Sequence, residues 1–112
     1  MKLWIDDIRP VPDGYIWFKS VNDTLRYIRW NRDFISVIDL DHDAGDWATE
    51  GGDYIAILTE IERLANRPTS EGADWAFWAK DCVLFRFHSA NPVGVANMRR
   101  IIERNGWKEM IG

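Results

Sequence analysis

Residues 34–43 read Phe-Ile-Ser-Val-Ile-Asp-Leu-Asp-His-Asp, and the assignment of this stretch decides the fold. The apolar, β-branched run from Phe34 to Ile38 ends abruptly at Asp39 and reads as a central strand buried on both sides. If the chain stays extended beyond it, Asp39, Asp41 and Asp43 share one face, because side chains alternate along a strand. An oxygen-rich cluster of that kind suits Mg²⁺ or Mn²⁺. His42, set between two of the acids, is either a metal ligand or a proton-transfer group. The plainer alternative is a capped loop whose carboxylates accept backbone N–H groups. An EF-hand is excluded, since the Gly and Glu spacing of that loop is missing.

Working outward, Lys2-Leu3-Trp4-Ile5 is a short apolar strand that stops at Asp6-Asp7. Pro10, Pro12 and Asp13-Gly14 make residues 6–14 a loop before a second strand, Tyr15 to Phe18. That link is too short for the usual helical crossover, so an antiparallel second strand is expected as readily as a parallel one. Ser20 with Asp23 starts a helix to about Arg32, with Val21, Leu25 and Ile28 on its apolar face. Beyond an acidic loop at 40–52, Asp53 is expected to cap a helix through about Asn66, with Ile57, Leu58, Ile61 and Leu64 facing the core. Residues 67–79 begin as a loop and end in an aromatic patch, and Val83 to Phe87 forms a further buried strand. His88-Ser89-Ala90-Asn91 then leads into a helix with Pro92 at its first position and Val95, Met98 and Ile102 on one face.

Strands and helices alternate, which specifies an α/β fold with a small, mostly parallel, four-stranded sheet. Three strands run directly into polar residues, at Asp6, at Asp39-Asp41 and at His88. Ligands of open α/β sheets lie beyond the carboxyl ends of the strands, so these groups are expected to meet.

Composition narrows the class. The 112 residues are 46% hydrophobic and 13% aromatic, enough for one domain, 1–112, with a core of its own. A single cysteine, Cys82, excludes a disulfide scaffold. The N-terminus lacks the layout of a signal peptide, and no apolar run reaches the length of a membrane helix, so a cytoplasmic location without membrane contact is expected. The net charge of −4 is local: eight of the 18 acids are Asp6, Asp7, Asp39, Asp41, Asp43, Asp46, Glu50 and Asp53, and no Lys or Arg occurs between Arg32 and Arg63. Such crowding is costly unless a cation or protons relieve it.

Both histidines fall inside the polar motifs. At the junction after the last strand, Ser89, Asn91 and the free amides of the following helix form a phosphate-binding arrangement. Of the seven tryptophans, Trp4, Trp17 and Trp30 lie in core-facing runs, whereas Trp47, Trp75 and Trp78 are candidates to line a cleft and stack on a base.

Taken together, Leu3-Trp4-Ile5-Asp6-Asp7-Ile8-Arg9-Pro10, Leu40-Asp41-His42-Asp43 and His88-Ser89-Ala90-Asn91-Pro92-Val93-Gly94 with Asn97-Met98 resemble the cyclic-phosphate-processing receiver-like family, compact relatives of response-regulator receivers. The resemblance implies a receiver-like (flavodoxin-like) three-layer sandwich. It implies a metal site at Asp6, Asp7 and Asp41, joined by Asp43, with Asp41 near the receiver's phospho-acceptor position. Phosphate contacts fall to Ser89, Asn91, Arg9 and Asn97, and His88, His42 and Asp41 become the catalytic candidates. The implied activity is metal-dependent hydrolysis of the cyclic phosphate of an RNA end or nucleotide. A module that binds a phosphorylated ligand, cyclic nucleotide or protein partner without turnover is the alternative. Three departures stand out: Asp39 is acidic where the family is less so, Ala44 replaces the Leu common after the second Asp, and the last receiver strand with its Lys is not expected.

Overall fold

The sequence places four-residue apolar segments between amphipathic ones, and the chain folds accordingly. A computed structural model describes residues 1–111. It contains strands β1 (Lys2–Ile5), β2 (Tyr15–Phe18), β3 (Val37–Leu40), β4 (Leu84–Phe87) and β5 (Lys108–Glu109). The helices are α1 (Val21–Asn31), α2 (Ile55–Ala65), α3 (Ser70–Phe77) and α4 (Pro92–Asn105). All five strands are parallel, in the order β2-β1-β3-β4-β5. The sheet therefore has five strands rather than the expected four. The added strand, β5, is a two-residue pairing that carries too little apolar pattern to be read in advance. Lys108 on it lies beside Leu84, at the start of β4, far from the strands' carboxyl ends.

The open question of β2 resolves as parallel. A four-residue strand is only about 13 Å long, and nine extended residues reach about 30 Å, so loop 6–14 returns the chain without a helix. This short return shapes the molecule. The three helical crossovers, β2 to β3, β3 to β4 and β4 to β5, all advance in one direction along the sheet. Right-handed connections then put every helix on the same face. Leu3, Ile5, Ile38, Leu40 and Phe85 on that face join Ile28, Ile57, Leu58, Ile61, Met98 and Ile102 in one core. Each such side chain contributes about 1.5–3 kcal/mol on burial.

On the other face the register rows are Trp17-Trp4-Asp39-Arg86 and Tyr15-Lys2-Val37-Leu84-Lys108. Among the described residues this face carries loop 6–14 and no helix: the indole of Trp4 donates to Arg9 O (3.1 Å) and that of Trp17 to Asp6 O (2.8 Å). The expected third layer is reduced to that loop, because the crossover that would fill it is too short to be helical.

Several boundaries moved. Phe34 sits in a 3₁₀ turn (Arg32–Phe34) and is exposed, so the central strand starts later and includes Asp39. Asp53 does not cap α2; its carboxylate accepts from Ala44 N (3.0 Å) and pins the acidic loop instead. Thr69 caps α3 through Gly72 N (3.1 Å) within the segment expected to be loop, and a π-helical turn over Trp78–Cys82 follows. Trp75 and Trp78 on these two elements are buried, whereas Trp30 on α1 is 83% exposed, so their expected roles are exchanged. Trp30 follows Ile28 by two residues, about 200° around the helix from the buried Val21-Thr24-Ile28 stripe.

Candidate functional site

The carboxyl ends of β1, β3 and β4 converge as expected. One oxygen from each of Asp6, Asp7 and Asp41 lies within 4.8 Å of the others. Asp6 is fully buried. Its Oδ1 accepts from Ile8 N (2.8 Å) and Arg9 N (2.9 Å), which folds the start of loop 6–14 around the carboxylate. Its Oδ2 meets His88 Nε2 at 2.8 Å, and His88 Nδ1 meets Asp39 Oδ1 at 2.7 Å. Carboxylate oxygens therefore engage both ring nitrogens of His88. The ring also lies flat on Trp4, with centroids 3.7 Å apart and planes 3° from parallel. Arg9 donates through its guanidinium to the His88 carbonyl, fastening the loop to the end of β4. Asp39 thus belongs to the His88 clamp and not to the face of Asp41, and Arg86 Nε lies 3.9 Å from its other oxygen.

A second group is His42, Asp43 and Asp53, again with one ligand atom each within 4.8 Å. Asp43 accordingly sits with His42 and not in the Asp6-Asp7-Asp41 cluster where the sequence reading put it. The chain turns after Leu40, Asp41 Oδ1 accepts its neighbour's amide, His42 N (2.7 Å), and the extended alternation is lost. His42 Nδ1 bonds Asp43 Oδ1 (2.8 Å), while its Nε2 makes no hydrogen bond among the described residues. The ring rests on Gly94 near the start of α4, where an added Cβ would come within 2.4 Å of it.

At the β4–α4 junction Asn91 is the N-cap, accepting from Gly94 N (3.0 Å), and its Nδ2 reaches Asp43 Oδ2 at 3.4 Å. Ser89 Oγ accepts from Asn91 N (3.1 Å) and keeps its proton free to donate. Asn97 lies more than a turn inside α4 and bonds Arg100 (2.8 Å), pointing along the helix and away from this junction.

The electrostatics separate the two adjacent aspartates. Burial works to raise the Asp6 carboxyl, but the Ile8 and Arg9 amides and His88 outweigh it and hold it below the ordinary range. Asp7 goes the other way, raised by burial and by the charges of Asp6 and Asp41. The phenol of Tyr54 is raised by burial and by the same acids. An all-oxygen donor set whose members repel one another, one of them held toward neutrality, fits a hard divalent cation. Asp7 and Asp41 have the freer oxygens for it, with Asp6 behind them.

Sequence reasoning missed Asp39 as the partner of His88, Trp4 as its stacking platform, Asp53, and the two glycines that make the site close. At Gly45 (φ +56°) a Cβ would lie 2.5 Å from Asp7 Oδ2. A glycine inside an acidic loop was the available signal for that approach.

A parallel sheet in the order 2-1-3-4-5, with an acidic pair after its first strand and a third aspartate after its central one, defines a receiver-like domain. The chain belongs to the cyclic-phosphate processing receiver domain family, whose sequence model matches residues 1–104. No curated protein and no solved structure matches the chain. Among the described residues no helix is long and apolar enough to cross a membrane.

Proposed function

We propose that this domain is a metal-dependent phosphoesterase that opens the 2′,3′-cyclic phosphate of an RNA end or nucleotide. The observation that carries the reading is the gathering of the Asp6, Asp7 and Asp41 oxygens, with the next residue, His42, oriented by Asp43 at Nδ1 and without a hydrogen bond at Nε2 among the described residues. Mg²⁺ or Mn²⁺ held by Asp6, Asp7 and Asp41 supplies charge neutralisation at the phosphate when bound. His42 Nε2 accepts a proton from the attacking water and returns it to solvent, and a solvent water protonates the departing ribose oxygen on the opposite side of phosphorus. The water oxygen bonds to phosphorus as one ring P–O bond breaks, leaving a phosphomonoester. The Ser89 hydroxyl and the uncommitted N–H groups of Arg9 donate to phosphate oxygens, and Asn91 fixes the α4 end and Asp43. His88 acts here as a positioning residue, since both of its nitrogens are engaged by carboxylates.

The test is incubation of the purified protein, with Mg²⁺ or Mn²⁺, with cyclic-phosphate RNA ends and with 2′,3′-cyclic nucleotides. Monophosphate product that vanishes with chelator is expected, and unchanged substrate beside an active control enzyme refutes the reading. The engagement of both His88 nitrogens by carboxylates favours a second reading, a module that binds a cyclic nucleotide or phosphorylated partner without turnover. Tight calorimetric binding with the ligand recovered intact selects it.

A further inference from the structure

β2 is the outermost strand at one edge of the sheet and pairs with β1 alone. It presents Tyr15-Ile16-Trp17-Phe18, with no charge and no proline, whereas β5 at the other edge is two residues long. Edges are usually blunted by charge, proline or brevity, and an apolar one left open is a template for another strand. Asp6 N donates to Phe18 O (3.1 Å), so the parallel alternation turns the backbone groups of Phe18 and Ile16 toward β1 and those of Tyr15 and Trp17 outward. Among the described residues one loop group meets these outward positions: Pro12 O accepts from Tyr15 N at 3.3 Å.

A cavity of about 660 Å³ lies along this edge. Its lining takes Trp17 from one face of β2 and Phe18 from the other, and extends from Lys19 and Trp47 to Trp30 near the far end of α1. Ile16 is 38% exposed and Trp30 83% exposed. A groove of rings beside unpaired ladder groups has the form of a strand-addition site. We infer that its occupant is the same edge of a second copy, antiparallel, joining two five-stranded sheets about a two-fold axis at Ile16. Self-complementarity selects that occupant. In this register Tyr15 and Trp17 of one copy face Trp17 and Tyr15 of the other, so each Trp17 N donates to a Tyr15 O and the rings form cross-strand pairs on the helix-free face. Each Tyr15 N is shared between Pro12 O and the Trp17 O opposite it. Two residues further, the same register brings Lys19 to Asp13 of the second copy. Lys19 Nζ rests 4.8 Å from the Trp17 ring, and among the described residues neither Lys19 nor the exposed Asp13 has an ion-pair partner in its own chain. The two-fold axis makes that pair twice. The inference does not depend on the phosphoesterase reading.

The experiment is sedimentation of the full chain over a range of concentrations, with variants whose fold is checked by circular dichroism. The wild type is expected to pass from monomer to dimer. Lys19→Glu is expected to weaken the dimer about tenfold, and Asp13→Lys added to it to restore the affinity. In a Cys82→Ser background, Ile16→Cys is expected to form an intermolecular disulfide on oxidation, since Cα atoms of a non-hydrogen-bonded pair lie about 4.5 Å apart. Glu71→Cys on α3, in the same background, is the control that stays unlinked. A wild type that is monomeric at its highest soluble concentration overturns the inference and leaves the edge to a foreign strand. A dimer in which Ile16→Cys links no better than Glu71→Cys, or in which Lys19→Glu associates as the wild type does, also overturns it.

Discussion

The two histidines are equivalent as sequence motifs and almost equally buried, yet their ring nitrogens are engaged differently. His88 is closed in: carboxylates hold both nitrogens and an indole covers one face. His42 is held at Nδ1 only, packs on a glycine, and has no hydrogen-bond partner at Nε2 among the described residues. The difference teaches that an imidazole beside acids is not thereby a proton carrier. What matters is whether a nitrogen is left over once the structural bonds are made.

The largest effect expected from this contrast is on stability. His88→Ala leaves the buried Asp6 and Asp39 facing each other without the imidazole between them, Asp6 kept by two amides and Asp39 by Arg86 alone, which costs about 3 kcal/mol in denaturant unfolding. A loss below about 1 kcal/mol would mean that the clamp is ornamental and the two histidines are alike. His42→Ala is the mirror case. Its stability is expected to stay within about 1 kcal/mol of wild type, as is usual away from core and buried networks. Hydrolysis of a cyclic nucleotide is expected to fall about 10²–10⁴-fold. Equal rates in the variant and the wild type would move proton transfer elsewhere.

The smallest effect concerns the adjacent aspartates, which echo the same division. Asp6 is depressed in the folded state, so its stabilisation is present above the ordinary aspartate range and is lost as pH falls through the lower, folded value. Asp7 is raised, so in its ionised form it works against folding, and that penalty fades as pH falls through its folded value. Without metal, Asp7→Asn is expected to melt slightly higher than wild type at neutral pH. It is also expected to lose most of the melting shift that Mg²⁺ gives the wild type. A full Mg²⁺ shift in the variant would remove Asp7 from the cation site.

Much of this was legible in advance because strand ends are marked by abrupt changes from apolar to acidic residues, and these survive folding. The parallel sheet and the meeting of Asp6, Asp7, Asp41 and His88 followed from that pattern. What escaped was set by tertiary geometry. Asp39 looked like a partner of Asp41 on an alternating strand, but the turn at Asp41 sent the two in different directions. Trp30 and Trp75 exchanged roles because helical phase, not the hydrophobicity of the residue, decides burial. Asp53 had the spelling of a helix cap and was drawn to a loop amide nine residues earlier.

The one-sided placement of the helices carries a thermodynamic consequence. On the helix-free face Lys2, Leu84 and Lys108 stay exposed and Trp4, Tyr15 and Trp17 are only half-buried in the native state, so unfolding newly wets less apolar area than in a domain sheathed on both sides. The heat-capacity increment should therefore fall below the usual value of about 12–15 cal/mol/K per residue. The stability curve is correspondingly flatter, holding its modest maximum over a broad span of temperature.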